Sequence, residues 1–346
     1  MRRKNTALFV RFTACLLAVI TSIAKAGDVV EIDKGVDASV EQALAFLVSK
    51  QEADGSIHDG PNRVAMTGLS VLAFLAAGNT PDDGRYGQVV SKAIDYLVKA
   101  VPPDGYIGRI DNSRMYGHGI VALALAEAGG VETDTRRKKD LRDALGRMLR
   151  VILDAQKVNK DSNNAGGWRY EPTSGDSDLS LSGWCALALR ASQNSGMNVE
   201  KEPVDRAVSY VARCFKSDAG AFAYQPGSGP TISMTAVAIL NLFLLDAGDR
   251  EEVRRAADWL SKQPVQSNTP FFHYSIYYSM QAATQIGGDL QTRTLKNSVA
   301  LLLPRQQPDG GFSASPSGEE PGRIYATAMS VLTLAVPYEV LPIYQK

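Results

Sequence analysis

Apolar residues recur at helical spacing through most of the chain. Val40, Ala43, Leu44, Leu47 and Val48 form one stripe, with Glu41 and Lys50 on the opposite side. Val253, Ala256, Ala257 and Leu260 repeat that pattern. Other segments are apolar nearly all round, as in Gly68-Leu-Ser-Val-Leu-Ala-Phe-Leu-Ala-Ala77. The first kind predicts a helix with one solvated face, the second a helix buried on every side. Alternation of β-branched residues never persists beyond a few positions, so the pattern predicts an all-α chain.

The two kinds alternate, and the alternation repeats about every fifty residues. An amphipathic helix ends near a Gln, a Gly-rich loop follows, and a helix rich in Ala, Gly and Ser comes next. The first unit runs Val40–Gln51, Asp54-Gly55-Ser56-Ile57, then Val64–Ala77. The second runs Val89–Ala100, Asp104-Gly105-Tyr106, then Met115–Ala128. The third is Leu141–Gln156, a longer loop with Gly166-Gly167-Trp168, then Leu179–Ser192. The fourth is Pro203–Phe215, Asp218-Ala219-Gly220, then Ile232–Ala247. The fifth is Glu251–Gln263, a loop without glycines, then Phe272–Ile286. The sixth is Leu295–Gln307, Asp309-Gly310-Gly311-Phe312, then Ile324–Val336. Glycines after the second helices read as left-handed caps. Six buried helices inside six amphipathic ones predict a closed (α/α)6 toroid. An open solenoid would need polar capping helices at both ends, and none is evident.

Composition narrows the class. With 37 basic and 37 acidic residues in 346, the chain carries no net charge and lacks the basic balance that nucleic acid asks for. Residues 1–26 have the features of a secretory signal: Arg2, Arg3 and Lys4, a mostly apolar Phe12–Ile23, then Ala24-Lys25-Ala26 before Gly27. The apolar run is shorter than the roughly 20 residues a membrane span needs. Its removal lowers the basic count to 32 against 37 acids. The expectation is therefore an exported protein, periplasmic or secreted, with residues 27–346 as one toroid and no integral membrane span. Cys185 and Cys214 remain after cleavage, either as a disulfide or as two buried thiols.

The Gln…Asp-Gly…aromatic loops, Gly166-Gly167-Trp168-Arg169-Tyr170 and the Ala-rich second helices resemble the squalene cyclase and protein prenyltransferase superfamily, in particular secreted bacterial proteins with squalene-cyclase-type repeats. The resemblance covers nearly all of residues 27–346 and implies the toroid, though not a particular reaction. Squalene cyclases carry an Asp-x-Asp-Asp motif whose middle Asp protonates the polyene. Asp176 matches its first Asp and Asp178 its middle one, while Leu179 stands where the last should be. Asp178 therefore lacks the neighbouring carboxyl that the motif supplies to its acid. Both carboxylates also read as N-caps ahead of Leu179. Squalene cyclases have two toroids, whereas this chain has length for one. Protein prenyltransferases hold zinc with Asp, Cys and His. Here His58, His118 and His273 fall in different units and neither cysteine sits in an Asp-x-Cys pattern, so no metal or cofactor is expected.

All six loops should gather on one rim, where the buried helices begin and their positive dipole ends point. Candidate ligand-binding residues there are Trp168, Tyr170, Trp184, Tyr116, His118, Tyr274, Tyr277 and Tyr325. Arg63, Arg114 and Arg323 precede buried helices at matched positions and form a candidate anion clamp, with loop acids such as Asp59 and Asp111 as alternative partners. Phosphate-binding loops, nucleophile elbows and zinc-protease motifs are absent. The expected function is non-catalytic binding of an isoprenoid, lipid or other amphipathic ligand, or of a protein partner, at the loop rim. One alternative is a diverged terpenoid cyclase using Asp178 as its acid. A second is a glycan-active (α/α)6 enzyme, for which Glu171 with Asp176 or Asp178 is the clustered carboxylate pair.

Overall fold

The computed structural model describes residues 26–315, 318–338 and 341–344, with side chains from Gly35 to Ile343. The expected signal at 1–26 lies outside them but for Ala26. The described residues form twelve α-helices: α1 (Ala26–Ser49), α2 (Arg63–Ala76), α3 (Gly87–Ala100), α4 (Arg114–Val131), α5 (Thr135–Lys157), α6 (Leu179–Asn194), α7 (Lys201–Arg213), α8 (Ile232–Leu244), α9 (Glu251–Ser261), α10 (Phe272–Ile286), α11 (Gly288–Leu302) and α12 (Arg323–Ala335). A two-stranded hairpin, β1 (Phe215–Lys216) and β2 (Ala221–Phe222), pairs Phe215 with Phe222.

Even-numbered helices form the inner ring. α2 is buried from Val64 through Ala76, whereas α9 buries only Val253, Ala256 and Leu260, one face of a helix. Each inner helix packs on the next, and α12 packs back on α2, so the ring is closed and the fold is an all-α toroid. No helix among the described residues is long and apolar enough to cross a membrane.

Several helix ends differ from the pattern read in the sequence: α1 begins at Ala26 rather than Val40, and α11 spans Gly288–Leu302 rather than Leu295–Gln307. α5 starts at Thr135 rather than Leu141, because Asp134 caps it by accepting a hydrogen bond from the Arg137 amide at 2.7 Å. Its first charged turn has no apolar period to betray it. α8 stops at Leu244, because Asp246 itself takes the left-handed conformation (φ 58°) and the Ala247 amide bonds back to Leu242 O at 2.7 Å.

The units are joined by a recurring clasp. Gln51 Nε2 donates to Gly55 O (3.1 Å) in its own loop and to Val89 O (2.9 Å) in the next outer helix. Gln156 does the same to Gly166 O and Pro203 O. Gln306 does it to Gly310 O and Ser39 O, both at 2.8 Å, which ties the last unit to the first. The loop glycine is obligatory in each, and also in the second unit, whose outer helix ends without a Gln. Gly55, Gly105, Gly166 and Gly310 have φ between 86° and 94°, and a methyl on any of them would overlap the backbone carbonyl of Lys92, Arg147, Arg206 or Gln42 respectively. The residue at the loop's inner end is held by the inner helix: the amides of Ile57, Trp168, Phe222 and Phe312 donate to the hydroxyls of Thr67, Ser182, Thr235 and Thr327.

The mouth at the inner helices' C-terminal ends is crossed by the chain's own tail. Leu341 and Ile343 are buried, and the turn Pro342–Tyr344 packs on α4 and α6. Beneath it the Glu127 carboxyl is buried and accepts from the Ile343 amide at 3.3 Å through Oε2, with Oε1 unpartnered. Burial pushes its carboxyl from 4.5 up to about 8, against the opposing effect of that one hydrogen bond.

Two predictions follow from this packing. Gly310→Ala should destabilise the fold by about 3 kcal/mol in chemical denaturation, from a forced left-handed alanine plus the clash with Gln42. Gly60→Ala, with open space around it, should change stability by less than about 0.5 kcal/mol. Glu127 is protonated more readily folded than unfolded, so its contribution is complete below about pH 4.5 and is lost as pH rises towards 8. Glu127→Gln should therefore gain on the wild type across that window, by a few degrees in Tm by about pH 8.5. A constant gap from pH 5 to 9 would contradict this.

Candidate functional site

Asp178 sits at the start of α6 in extended conformation, where an inner helix meets the longest loop. Its side chain is inaccessible to solvent. Oδ1 accepts the Leu181 amide at 2.8 Å, and Oδ2 lies 3.2 Å from Arg169 Nη1. Burial pushes its carboxyl up to about 6, while the Leu181 amide, the Arg169 charge and a hydrogen bond with Tyr224 pull the other way. Arg169 also pairs with the half-exposed Asp176 at 3.4 Å. Its guanidinium is sandwiched between aromatic faces, 4.6 Å from the Tyr170 ring centre and 5.5 Å from that of Tyr224.

Phenols extend from this centre across the inner-helix N-termini. The Tyr170 and Tyr224 hydroxyls are 2.9 Å apart. Tyr116 donates to Ser180 Oγ (3.0 Å), and Ser180 donates to the Tyr274 hydroxyl (2.9 Å). Tyr116, Tyr170, Tyr224 and Tyr325 are half-buried. Burial raises the phenols of Tyr116, Tyr224, Tyr274 and Tyr325 well above 10, so all stay neutral donors at physiological pH. The result is a mouth lined by neutral hydroxyls on aromatic faces, with one cation held at its edge.

The other candidates lie around it. Below the mouth, Tyr277 and Trp184 are buried against Tyr278, with ring centres 4.9 and 5.9 Å away. Trp168 is buried towards the outer ring, donating its indole N–H to Ile152 O at 2.8 Å. His118 is buried against Met148 O at 3.1 Å, and burial lowers it to about 4, so it is neutral. Each matched arginine has a carboxylate: Arg63 with Asp54 (2.5 Å), Arg323 with Asp309 (2.6 Å) and Arg114 with Glu171 (3.4 Å). Asp59 and Asp111 do something else. Asp59 accepts the Arg323 and Ile324 amides, and Asp111 those of Val64 and Ala65, so each caps an inner helix of a neighbouring unit. Glu320 likewise accepts the His273 amide (2.7 Å) and bonds its Nδ1 (2.6 Å). The carboxylate of Glu171 faces Tyr106 and Arg114, whereas that of Asp178 faces Arg169 and α6. Cys185 and Cys214 are buried free thiols.

The model of the prenyltransferase alpha-alpha toroid domain matches residues 5–114, 141–273 and 264–341. The chain belongs to this family. Solved structures share the toroid at low identity. A type II terpene cyclase, MstE from Scytonema, aligns with a TM-score of 0.58 at 16% identity, covering 89% of this chain and 99% of its own. The GH76A alpha-1,6-mannanase from Salegentibacter sp. HEL1_6 aligns at 0.62 and 11% identity, covering 88% and 99%. A protein from Actinoplanes aligns at 0.55 and 16%. No curated protein matches significantly. Such likenesses establish the toroid and leave its chemistry to the residues of the mouth.

Two central residues of this site carry little signal in the sequence: Arg169 stands out only as part of a repeat motif, and Tyr224 is marked by no motif of its own. Yet Phe222-Ala223-Tyr224 stands in the fourth unit where Trp168-Arg169-Tyr170 stands in the third. Aligning the loops on Trp168 and Phe222, whose amides make the same bond, places both tyrosines at one repeat position. At Asp178 an asparagine keeps the cap, because Asn and Asp are equally good at that position. Asp178→Asn should hold stability to within about 1 kcal/mol, while Asp178→Ala should lose about 1–2 kcal/mol. Urea denaturation of the two variants checks this; equal losses would mean that the contact with Arg169, not the cap, sets the role of Asp178.

Proposed function

We propose that this protein is an exported toroid that holds an amphipathic ligand at its tyrosine-lined mouth and performs no chemistry on it. The observation that carries this reading is the commitment of Asp178. One oxygen is bound to a helix amide and the other faces a guanidinium. An acid that protonates an alkene needs a carboxyl proton free to leave, and an adjacent Arg cation favours the ionised form instead. Leu179, buried and apolar, replaces the neighbour that would assist. The phenol faces suit the apolar part of an isoprenoid or lipid, and Arg169 with the hydroxyls suits its polar end. Export is supported by the charged start, short apolar run and Ala24-Lys25-Ala26 of residues 1–26.

A second reading, proton-initiated polyene cyclisation, is favoured by one observation: burial lifts Asp178 to about 6. One experiment separates them. Native mass spectrometry of protein recovered from a periplasm should give a mass lacking residues 1–26 and an extractable amphipathic ligand. Tyr170→Ala should reduce that retention about tenfold or more, and Asp178→Asn should leave it in place. Conversion of added squalene by the wild type, abolished in Asp178→Asn, would overturn the binding reading in favour of catalysis.

A further inference from the structure

The charged groups around the tyrosine mouth are already matched to one another. Arg169 lies between two carboxylates, 3.4 Å from Asp176 Oδ2 and 3.2 Å from Asp178 Oδ2. With both ionised, the three side chains together carry one net negative charge. Lys160, the other cation near Asp176, is turned under the loop, where its ammonium donates to Gly167 O at 2.6 Å and to Ser177 Oγ at 3.3 Å. Arg63, Arg114 and Arg323 each have a carboxylate of their own. The helix starts are occupied too. A free N-terminus would draw an anion, but Asp111, Asp178, Glu320 and Asp59 already accept the first amides of α2, α6, α10 and α12.

What the mouth still offers is neutral. Tyr325 is half-buried, and its hydroxyl makes no hydrogen bond among the described residues. Burial and the nearby Glu320 carboxylate hold this phenol well above 10, so it remains a donor. Tyr116, close enough to act on Tyr325, donates to Ser180 Oγ at 3.0 Å and keeps its own oxygen as an acceptor. Its ring centre lies 6.0 Å from that of Tyr170, on which Arg169 stacks, so the aromatic surface runs unbroken between them. A donor and an acceptor on nearby rings match a hydroxyl group, which is both.

We infer that the head group recognised at this mouth is an uncharged hydroxyl, so that the ligand is a neutral isoprenoid or fatty alcohol and not the corresponding acid or amine. This rests on the binding reading above and narrows it. A carboxylate brought to Arg169 meets Asp176 and Asp178 with no positive charge left to offset it. An ammonium finds the faces of Tyr170 and Tyr224 taken by the Arg169 guanidinium. A hydroxyl loses far less than either ion on leaving water. It finds Tyr325 and Tyr116 for its oxygen and its proton, and phenol faces for the chain that carries it.

Equilibrium dialysis of the protein at neutral pH against farnesol, farnesoic acid and farnesylamine tests this, because the three share one chain and differ in head group. Farnesol should bind about tenfold more tightly than either of the others. Tyr325→Phe keeps the ring and should weaken farnesol by about threefold to tenfold, the effect of one hydrogen bond. Asp176→Asn leaves Arg169 with a single carboxylate and should raise the affinity for farnesoic acid about fivefold. Binding of none of the three would overturn the binding reading and this inference with it. An acid or amine that binds as tightly as farnesol would overturn this inference alone and leave the binding reading standing. So would a farnesol affinity unmoved by Tyr325→Phe, or a farnesoic acid affinity unmoved by Asp176→Asn.

Discussion

At the joint between the last unit and the first, Gln306 donates one amide hydrogen to its own loop at Gly310 and the other across to Ser39. Ring closure depends on that geometry, and the same arrangement at Gln51 and Gln156 sets the pitch between outer helices. A buried carbonyl left without its donor costs about 1–3 kcal/mol, so each clasp holds its two units in one register. The glycine beside each clasp serves the same end from the steric side, letting the loop lie directly on the backbone of the next helix. Where a clasp stands it holds two neighbouring outer helices together, and inside them the inner helices pack on one another around the axis.

Closure also decides what becomes of the inner-helix N-termini. Six positive dipole ends on one rim would be an attractive anion site if they were free. Several are not, because the ring brings each loop against its neighbour's helix. Asp111 caps α2, Asp59 caps α12, Glu320 caps α10, and the Tyr224 carbonyl accepts the Leu179 amide of α6. The acids that might have neutralised the matched arginines are consumed here, and the arginines pair with Asp54, Asp309 and Glu171 instead. The rim is thereby electrostatically satisfied, and phenols rather than charges dominate its inner face.

The architecture was legible because it rests on local signals. Helical period, the contrast between one-sided and all-round apolar helices, and loop glycines at a repeating interval all lie within a window of some fifty residues. The phenols of Tyr116, Tyr274 and Tyr325 were legible as rim residues for the same reason, since each lies in the first turn of an inner helix, and Tyr170 through the Gly-Gly-Trp-Arg-Tyr run of its loop. What escaped notice depends on distant pairings. Arg169 meets Tyr224 across 55 positions and Tyr116 meets Ser180 across 64. The charged first turn of α5 escaped because its cap, Asp134, precedes any apolar period.

The committed state of Asp178 bears on how one toroid can serve unrelated chemistries. The toroid itself is shared at low identity by a type II terpene cyclase and a mannanase, and in this chain it supplies a mouth, a ring of helix starts and a buried carboxylate at one of them. Whether such a carboxylate acts as an acid depends on what its two oxygens already bind. Here burial favours the neutral form, while a helix amide and a guanidinium stacked between Tyr170 and Tyr224 favour the charged one, and the balance lies near 6. Much stronger acidity would require a neighbour that withdraws the proton's alternatives, and Leu179 offers no polar atom for that. The same stacking that restrains Asp178 fixes Arg169 at the edge of an aromatic surface. In the proposed binding role, a residue that would obstruct carbocation chemistry serves instead as an anchor for a ligand's polar end.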